Sequence, residues 1–304
     1  MDGILNIHKP SGPTSFATVA RLRKLVGEPK AGHGGTLDPL ACGVLPVFLG
    51  QATRLAEYLM EHPKSYRAEI ELGVSTDSYD AEGAVTQRSD ASGIDRIAVE
   101  ECLKRFRGDI QQTPPVYSAL KQHGQPLYKL ARQGQDVEVE SRPTSIYRLE
   151  LVAFNPPALT LEVECSKGTY IRSLAHDLGA GLGCGAHLAG LVRTSYGPFK
   201  LQDAVTLEQL ERAVADGTWA RMIRPMDAVL SLWQKIMLSG EHVEMVRCGV
   251  GLSLDSDPTT GRLRAYDKAG LFIGLLKFEA ESRQWRPQKV FHPAAAVPEK
   301  GPIP

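Results

Sequence analysis

The chain has 304 residues, 42% hydrophobic and 23% charged, with 35 basic against 35 acidic side chains. That length suggests about two domains and ample material for a core, and a net charge of zero excludes an overall electrostatic pull toward nucleic acid, so such a partner has to be read from local patches. Cys42, Cys102, Cys165, Cys184 and Cys248 are odd in number and never spaced CxxC, which argues against a disulfide framework or a zinc site; with no signal pattern and no apolar run of membrane length, the expectation is a soluble cytoplasmic protein without a membrane partner.

Residues 3–7 form an apolar strand candidate, broken by Lys9-Pro-Ser-Gly-Pro13. Ser15 is placed to cap a helix whose stripe is Phe16, Val19, Leu22 and Val26 and whose stop is Gly27. Arg21, Arg23, Lys24 and Lys30 add a small basic surface. The stretch 30–50, KAGHGGTLDPLACGVLPVFLG, organises the chain. Gly32, Gly34 and Gly35 free its backbone, and Asp38 is the only acid between Glu28 and Glu57. Pro39 biases Asp38 away from helical geometry, and 43–49 has the composition of a buried strand. A lone carboxylate on a glycine-flanked turn suits a nucleophile or proton acceptor. From shape alone an Asx-type turn bonded to its own backbone is the commoner arrangement.

A helix is expected over 52–60. Residues 66–72 alternate, with Tyr66, Ala68, Ile70 and Leu72 on one face and Arg67, Glu69 and Glu71 on the other. A polar turn at 77–83 and a helix over 97–106 closed by Gly108 follow. In 111–142, Tyr117 and Tyr128 are interleaved with Lys121, Lys129, Arg132 and Arg142. That pattern fits either a nucleic-acid-contacting excursion or a long surface loop. Strands are expected over 146–153 and 159–165, and Ser166-Lys-Gly-Thr-Tyr170 turns into a helix with Ile171, Leu174, Ala175 and Leu178 on its apolar face, ending at Gly179. Arg172 lies off that stripe in the first turn, where a cation is poorly placed for the helix dipole, so it either has a partner outside the helix or is solvated. A short apolar helix over 187–192 is expected to run into Arg193. Thr206-Leu-Glu-Gln209 is a capping box opening a helix to about Ala215. From Trp233 the segments shorten. Residues 245–250, 263–266 and 271–278 are strand-like, giving a small all-β domain over 234–292 and a disordered tail over 293–304.

Several stretches together resemble the TruB-type tRNA pseudouridine synthases. They are NIHKPSGPTS at 6–15, GHGGTLDPLA at 32–41 with GVLP at 43–46, KSYR at 64–67 with Leu72-Gly73, QTPPVYSALK at 112–121, and CSKGTYIR at 165–172 followed by 187–193. Their order and spacing cover about 3–230. The resemblance implies an α+β fold: a mixed, largely antiparallel sheet with flanking helices over 1–233, an RNA-clamping insertion at about 113–142, and a small C-terminal PUA-like β domain. It implies conversion of uridine 55 in the T loop of tRNA to pseudouridine, with the base flipped into a pocket. In these terms Asp38 matches the catalytic aspartate, Tyr66 the tyrosine that stacks on the base and takes the C5 proton, and Arg172 the aspartate's partner. Leu191 matches the apolar wall of the uracil pocket and His33 the histidine that packs where the nucleotide has left its stack, although a turn-capping imidazole fits His33 as well. Lys9, Lys121 and Tyr170, each inside a matched stretch, are expected to contact substrate. The resemblance further implies no metal, no cofactor, no guide RNA and a monomer. Positions 8, 34 and 192 (His, Gly and Val) depart from the common pattern, and zero net charge is less basic than a tRNA enzyme leads one to expect. A non-catalytic RNA-folding module, a guide-dependent synthase and a small-molecule hydrolase stand as rivals. The joint presence of Asp38, Tyr66 and Arg172 weighs against the first, and Asp38-Pro-Leu-Ala41 with the long insertion against the second. The hydrolase lacks an oxyanion donor set or histidine base at recognisable spacing.

Overall fold

The computed structural model describes residues 1–118, 120–122, 124–127, 130, 133 and 139–292. Its strands are β1 (Gly3–Lys9), β2 (Ala31–His33), β3 (Cys42–Leu49), β4 (Lys64–Leu72), β5 (Val74–Thr76), β6 (Val85–Arg88), β7 (Gly108–Gln112), β8 (Lys121–Gln122), β9 (Gln125–Pro126), β10 (Arg142–Asn155), β11 (Ala158–Cys165), β12 (Ala186–Tyr196), β13 (Phe199–Lys200), β14 (Gln234–Met237), β15 (Arg262–Tyr266), β16 (Phe272–Glu279) and β17 (Gln284–Val290). Helices α1 (Ser15–Val26), α2 (Ala56–Leu59), α3 (Arg96–Leu103), α4 (Ile171–Gly181), α5 (Leu207–Ala215) and α6 (Gly240–Arg247) flank them. The main sheet runs β1-β3-β12-β4-β11-β10-β7, with β2 on β3 and β13 on β12. Its pairings are antiparallel except β12 on β3, the mixed, largely antiparallel sheet expected. Among the described residues no helix is long and apolar enough to cross a membrane.

The alternation along β4 sets its register. Tyr66, Ala68, Ile70 and Leu72 are buried against Ile171, Leu174, Ala175 and Leu178 of α4. A one-residue slip would turn Arg67, Glu69 and Glu71 into that core. Each buried aliphatic side chain contributes about 1.5–3 kcal/mol, which excludes the slip. Where β3 meets β12, Gly43 has φ 102°, and a Cβ there would stand 2.4 Å from the Arg193 carbonyl oxygen. Glycine is what lets the strands pair at this point, and the pairing brings Arg193 under the Asp38 turn.

Some local expectations change. Residues 187–192 are not a helix but lie in β12, at the centre of the sheet. A strand covered on both faces is apolar on both, so its pattern resembles a short buried helix. Residues 245–250 are not a strand. Ser239 accepts from His242 N and opens α6, whose Val243 and Val246 are buried. The 52–60 helix is instead a 3₁₀ segment, Gly50–Leu55, followed by the single turn of α2. Thr14, not Ser15, caps α1, and Gly108 starts β7 rather than ending a helix. The capping box at Thr206 and Gln209 is formed as expected.

The C-terminal strands form a separate sheet, β14-β15-β16-β17. Leu263, Ile273, Leu276 and Trp285 pack with Val243 and Val246 in its core. Leu275 and Phe291 join a second cluster with Ile4, Phe48 and Leu55, so this sheet is packed on the main body.

Candidate active site

Asp38 sits on the turn leading into β3, and that turn is gripped from below. Arg193, fully buried, donates from Nε to Val44 O (2.7 Å) and from Nη2 to Gly35 O (3.1 Å). Tyr196 Oη donates to Gly34 O at 2.9 Å. Ser15 Oγ accepts from Leu37 N at 2.8 Å and donates to Leu37 O at 3.0 Å. Lys9 Nζ donates to Ala41 O at 2.7 Å and Pro39 O at 3.3 Å. The turn's carbonyls therefore occupy the nearby cations. Among the described residues the Asp38 carboxylate bonds no backbone N–H, which rules out the Asx-turn reading.

Arg172 closes the site from α4. Its Nε stands 3.0 Å from Asp38 Oδ2, an ion pair without an aligned hydrogen bond at Nε. The Asp38 side chain is 42% exposed and that of Arg172 only 7%. The guanidinium is fixed from behind. Nη1 donates to Ser78 O (3.2 Å), Nη1 and Nη2 to Tyr117 O (3.1 Å each), and Nη1 lies 3.5 Å from buried Asp80. The start of α4 is tied to β7, where Gln112 Oε1 accepts from Tyr170 N at 2.7 Å and Gln112 Nε2 donates to Tyr170 O at 3.0 Å.

Asp38, Arg172, Tyr66, Leu191 and Tyr170 share one cavity of about 620 Å³. Tyr66 lies opposite Arg193, and Leu191 opposite Ala68, on the paired strands β4 and β12. Burial pushes the Tyr66 phenol up to about 12, with the Arg193 guanidinium opposing, so the ring is neutral near pH 7. Tyr170, half-exposed at the head of α4, is pushed up by burial as well.

The other expected contacts fall elsewhere. His33 ends β2, just before the cavity wall begins at Gly34. Burial first, then Arg193, lowers its pKa, and its buried Nδ1 has no hydrogen-bond partner among the described residues, which leaves it neutral and no turn cap at that atom. Lys9 is corrected. It is fully buried and spends its ammonium on backbone carbonyls, so it carries the Asp38 turn instead of touching a substrate. The Lys121 backbone lies in β8, and its side chain is outside the described residues. So are positions 119, 123, 128, 129, 131, 132 and 134–138 of the 113–142 excursion.

Sequence reasoning missed Asp80 and Arg193. Asp80 stood among three acids of a polar turn, with nothing to separate it from Asp77 and Glu82. For Arg193 there was a signal, a lone cation ending an apolar run, which in a central strand has to be buried.

A carboxylate with one cationic partner, at the wall of a cavity floored by a neutral aromatic ring and an aliphatic side chain, can attack or deprotonate a flat, uncharged ring placed over Tyr66. Known proteins match along nearly the whole chain. Residues 23–171 match the family described as TruB family pseudouridylate synthase (N terminal domain), and 172–231 that described as tRNA pseudouridylate synthase B C-terminal domain. The chain is 45% identical over 291 residues to tRNA pseudouridine synthase B of Dehalococcoides mccartyi, spanning 96% of this chain and 97% of that protein. It is 46% identical to tRNA pseudouridine synthase B of Pseudomonas aeruginosa, over 90% of this chain and 91% of that protein. A solved structure of an H/ACA RNP bound to a substrate RNA containing 2′-deoxyuridine superposes with TM-score 0.72 at 27% identity, covering 96% of this chain and 85% of that one.

Proposed function

The chain belongs to the TruB family of pseudouridylate synthases, and on that premise we propose that it isomerises uridine 55 in the T loop of tRNA. The N1–C1′ bond of the target uridine breaks, the uracil turns, C5 joins C1′, and the C5 proton leaves as N1 gains one. The observation that carries the reading is the Asp38 carboxylate, 3.0 Å from Arg172 Nε on the wall it shares with Tyr66 and Leu191. Asp38 adds to C6, attacks C1′ or takes a ribose 2′-proton; all three routes need its anion, and Arg172 supplies the opposing charge. Tyr66 offers the stacking face. Its phenol, pushed up to about 12, is a weak candidate for the proton acceptor that its position first suggested.

The base has to leave a folded loop, at a cost of a few kcal/mol. His33 at the cavity's edge, the 113–142 excursion and a PUA-like unit over 234–292 are the parts assigned to holding the RNA. The enzyme works in the cytoplasm as a monomer with tRNA alone, without cofactor or guide RNA.

The test is tritium release from a tRNA transcript carrying 5-³H-uridine, with wild-type protein and Asp38→Asn, and no other protein or RNA. Release by wild type only, mapped to position 55, is the expected result. Tight binding with no release by wild type would overturn it and favour the guide-dependent reading.

A further inference from the structure

We propose that Lys64 and Lys167 form a phosphate subsite at the end of the cavity away from Asp38, where they hold a backbone phosphate of the RNA next to the flipped nucleotide. The inference rests on the reading that the substrate is RNA.

The cavity is larger than its reactive end. Its lining also includes Lys64, Lys167, Glu57 and Glu61, and its volume leaves room for more than one nucleoside. Lys64 opens β4 two residues before Tyr66, so both side chains leave the strand on the same side. Its ammonium lies 4.6 Å over the Tyr196 ring. Among the described residues it has no carboxylate partner and no hydrogen-bond acceptor. Burial lowers its pKa to about 8, and Arg193 and Lys167 push in the same direction. A half-buried cation crowded by like charges is costly unless an anion arrives. Lys167 sits two residues past Cys165, the strand partner of Lys64. It is exposed, in the turn before α4, and makes no ion pair among the described residues. Of the two acids on this rim, Glu57 is paired with Lys289. Glu61 is the other, and it is exposed.

The opposite side of the ion pair has the reverse character. A second cavity of about 320 Å³, behind Asp38 and Arg172, is lined by Asp77, Asp80 and Glu82. A phosphodiester is repelled there. The strand carrying the target nucleotide is therefore directed toward Lys64 and Lys167, and the two cavities together give the RNA one polarity across the site.

The experiment measures binding and turnover separately, on T-arm RNAs in which one phosphate flanking the target uridine is replaced by a neutral methylphosphonate. Lys64→Met is expected to weaken binding about tenfold and to lower the slope of log affinity against log salt by about one, with single-turnover rate at saturating RNA nearly unchanged. One methylphosphonate position is expected to weaken wild type by a similar factor and to cost the variant nothing further. Lys64→Arg is expected to restore the salt slope. Lys167→Met, on an exposed turn, repeats the test if Lys64→Met fails to fold. The proposal is overturned if both variants keep the wild-type salt slope, or if each methylphosphonate costs wild type and variants alike. Filter binding reads these outcomes even if wild type releases no tritium, so the subsite and the proposed reaction fail separately.

Discussion

Two turns meet at the Asp38–Arg172 pair, and they are held by opposite means. The turn over 34–41 carries one carboxylate and is gripped from a distance, through its carbonyls, by Arg193, Lys9, Ser15 and Tyr196. The turn over 77–83 carries three acids and is held mostly by its own side chains. Ser78 Oγ and Glu82 N donate to Asp80 Oδ1, and Ala84 N donates to Asp77 Oδ1 at 2.8 Å. In the first turn the backbone occupies the buried cations and leaves Asp38 partly exposed with a single charged partner. In the second, Asp80 is buried and its oxygens are engaged. Which acid is left to react is decided by what else the local donors can bind.

Arg172 is the residue both turns share, so removing it should break the comparison most sharply. Arg172→Ala is expected to lower single-turnover tritium release on the order of 10³-fold, as for loss of a preorganised charge partner, with tRNA affinity within about threefold. A large loss of binding with normal turnover of bound RNA would remove Arg172 from that role.

The next prediction separates distant support from local support. Arg193→Met leaves the Val44 carbonyl buried and the Gly35 carbonyl part-buried without their donor, and should cost about 3 kcal/mol, read as a lower urea midpoint at unchanged slope. Asp77→Ala removes one acceptor for a local N–H and should cost about 1 kcal/mol in the same assay. Equal losses would show that the two turns are not supported differently.

That contrast also explains what could be read from the sequence. The alternation in β4, the capping box at Thr206 and the apolar face of α4 are local patterns with one geometric solution each, and they were legible. Asp38, Tyr66, Leu191 and Arg172 were found as a set through motif order, and the fold brings them to one cavity. Composition could not place Lys9 and Arg193, because a buried cation bonded to carbonyls differs from a surface one only in tertiary context. The same loss of context hid β12, where burial on both faces erased the period that marks a strand.

Proton linkage should act on the first turn. Lys9 is buried among Cys42, Asp38, Arg193 and Glu82, and desolvation lowers its pKa to about 8. Below that pH its charge costs stability. As pH rises through 8 the folded chain gives up the proton while the unfolded chain, at about 10.4, keeps it, so stability rises across that window. The expected gain is about 2 kcal/mol between pH 7.5 and 9.5. Lys9→Met should lack this increment, while Lys64 and the buried tyrosines contribute alike to both proteins and cancel in the difference; the Cys42 thiol, which burial pushes up and the Lys9 charge holds down, does not cancel, so the comparison is made in a Cys42→Ser background. Identical pH profiles would mean that Lys9 is not held in its strained charge state.

The smallest expected effect concerns Tyr79, between Ser78 and Asp80. Its φ of 64° is left-handed, unusual for a bulky side chain, and its ring stacks on His176 at 3.9 Å. His176 is one helical turn past Arg172 on α4, so the stack ties the 78–80 backbone to the helix that carries the guanidinium. Tyr79→Gly relieves about 1 kcal/mol of backbone strain and loses a ring contact of about the same size, so stability should change little. The tie is lost all the same, and Ser78 O and Asp80 are then free to drift from Arg172. Turnover should fall severalfold with tRNA affinity unchanged, and Tyr79→Phe, which keeps the ring, should behave like wild type. If Tyr79→Gly turns over normally, the turn's own hydrogen bonds are enough to hold Arg172, and the strained tyrosine has no part in positioning it.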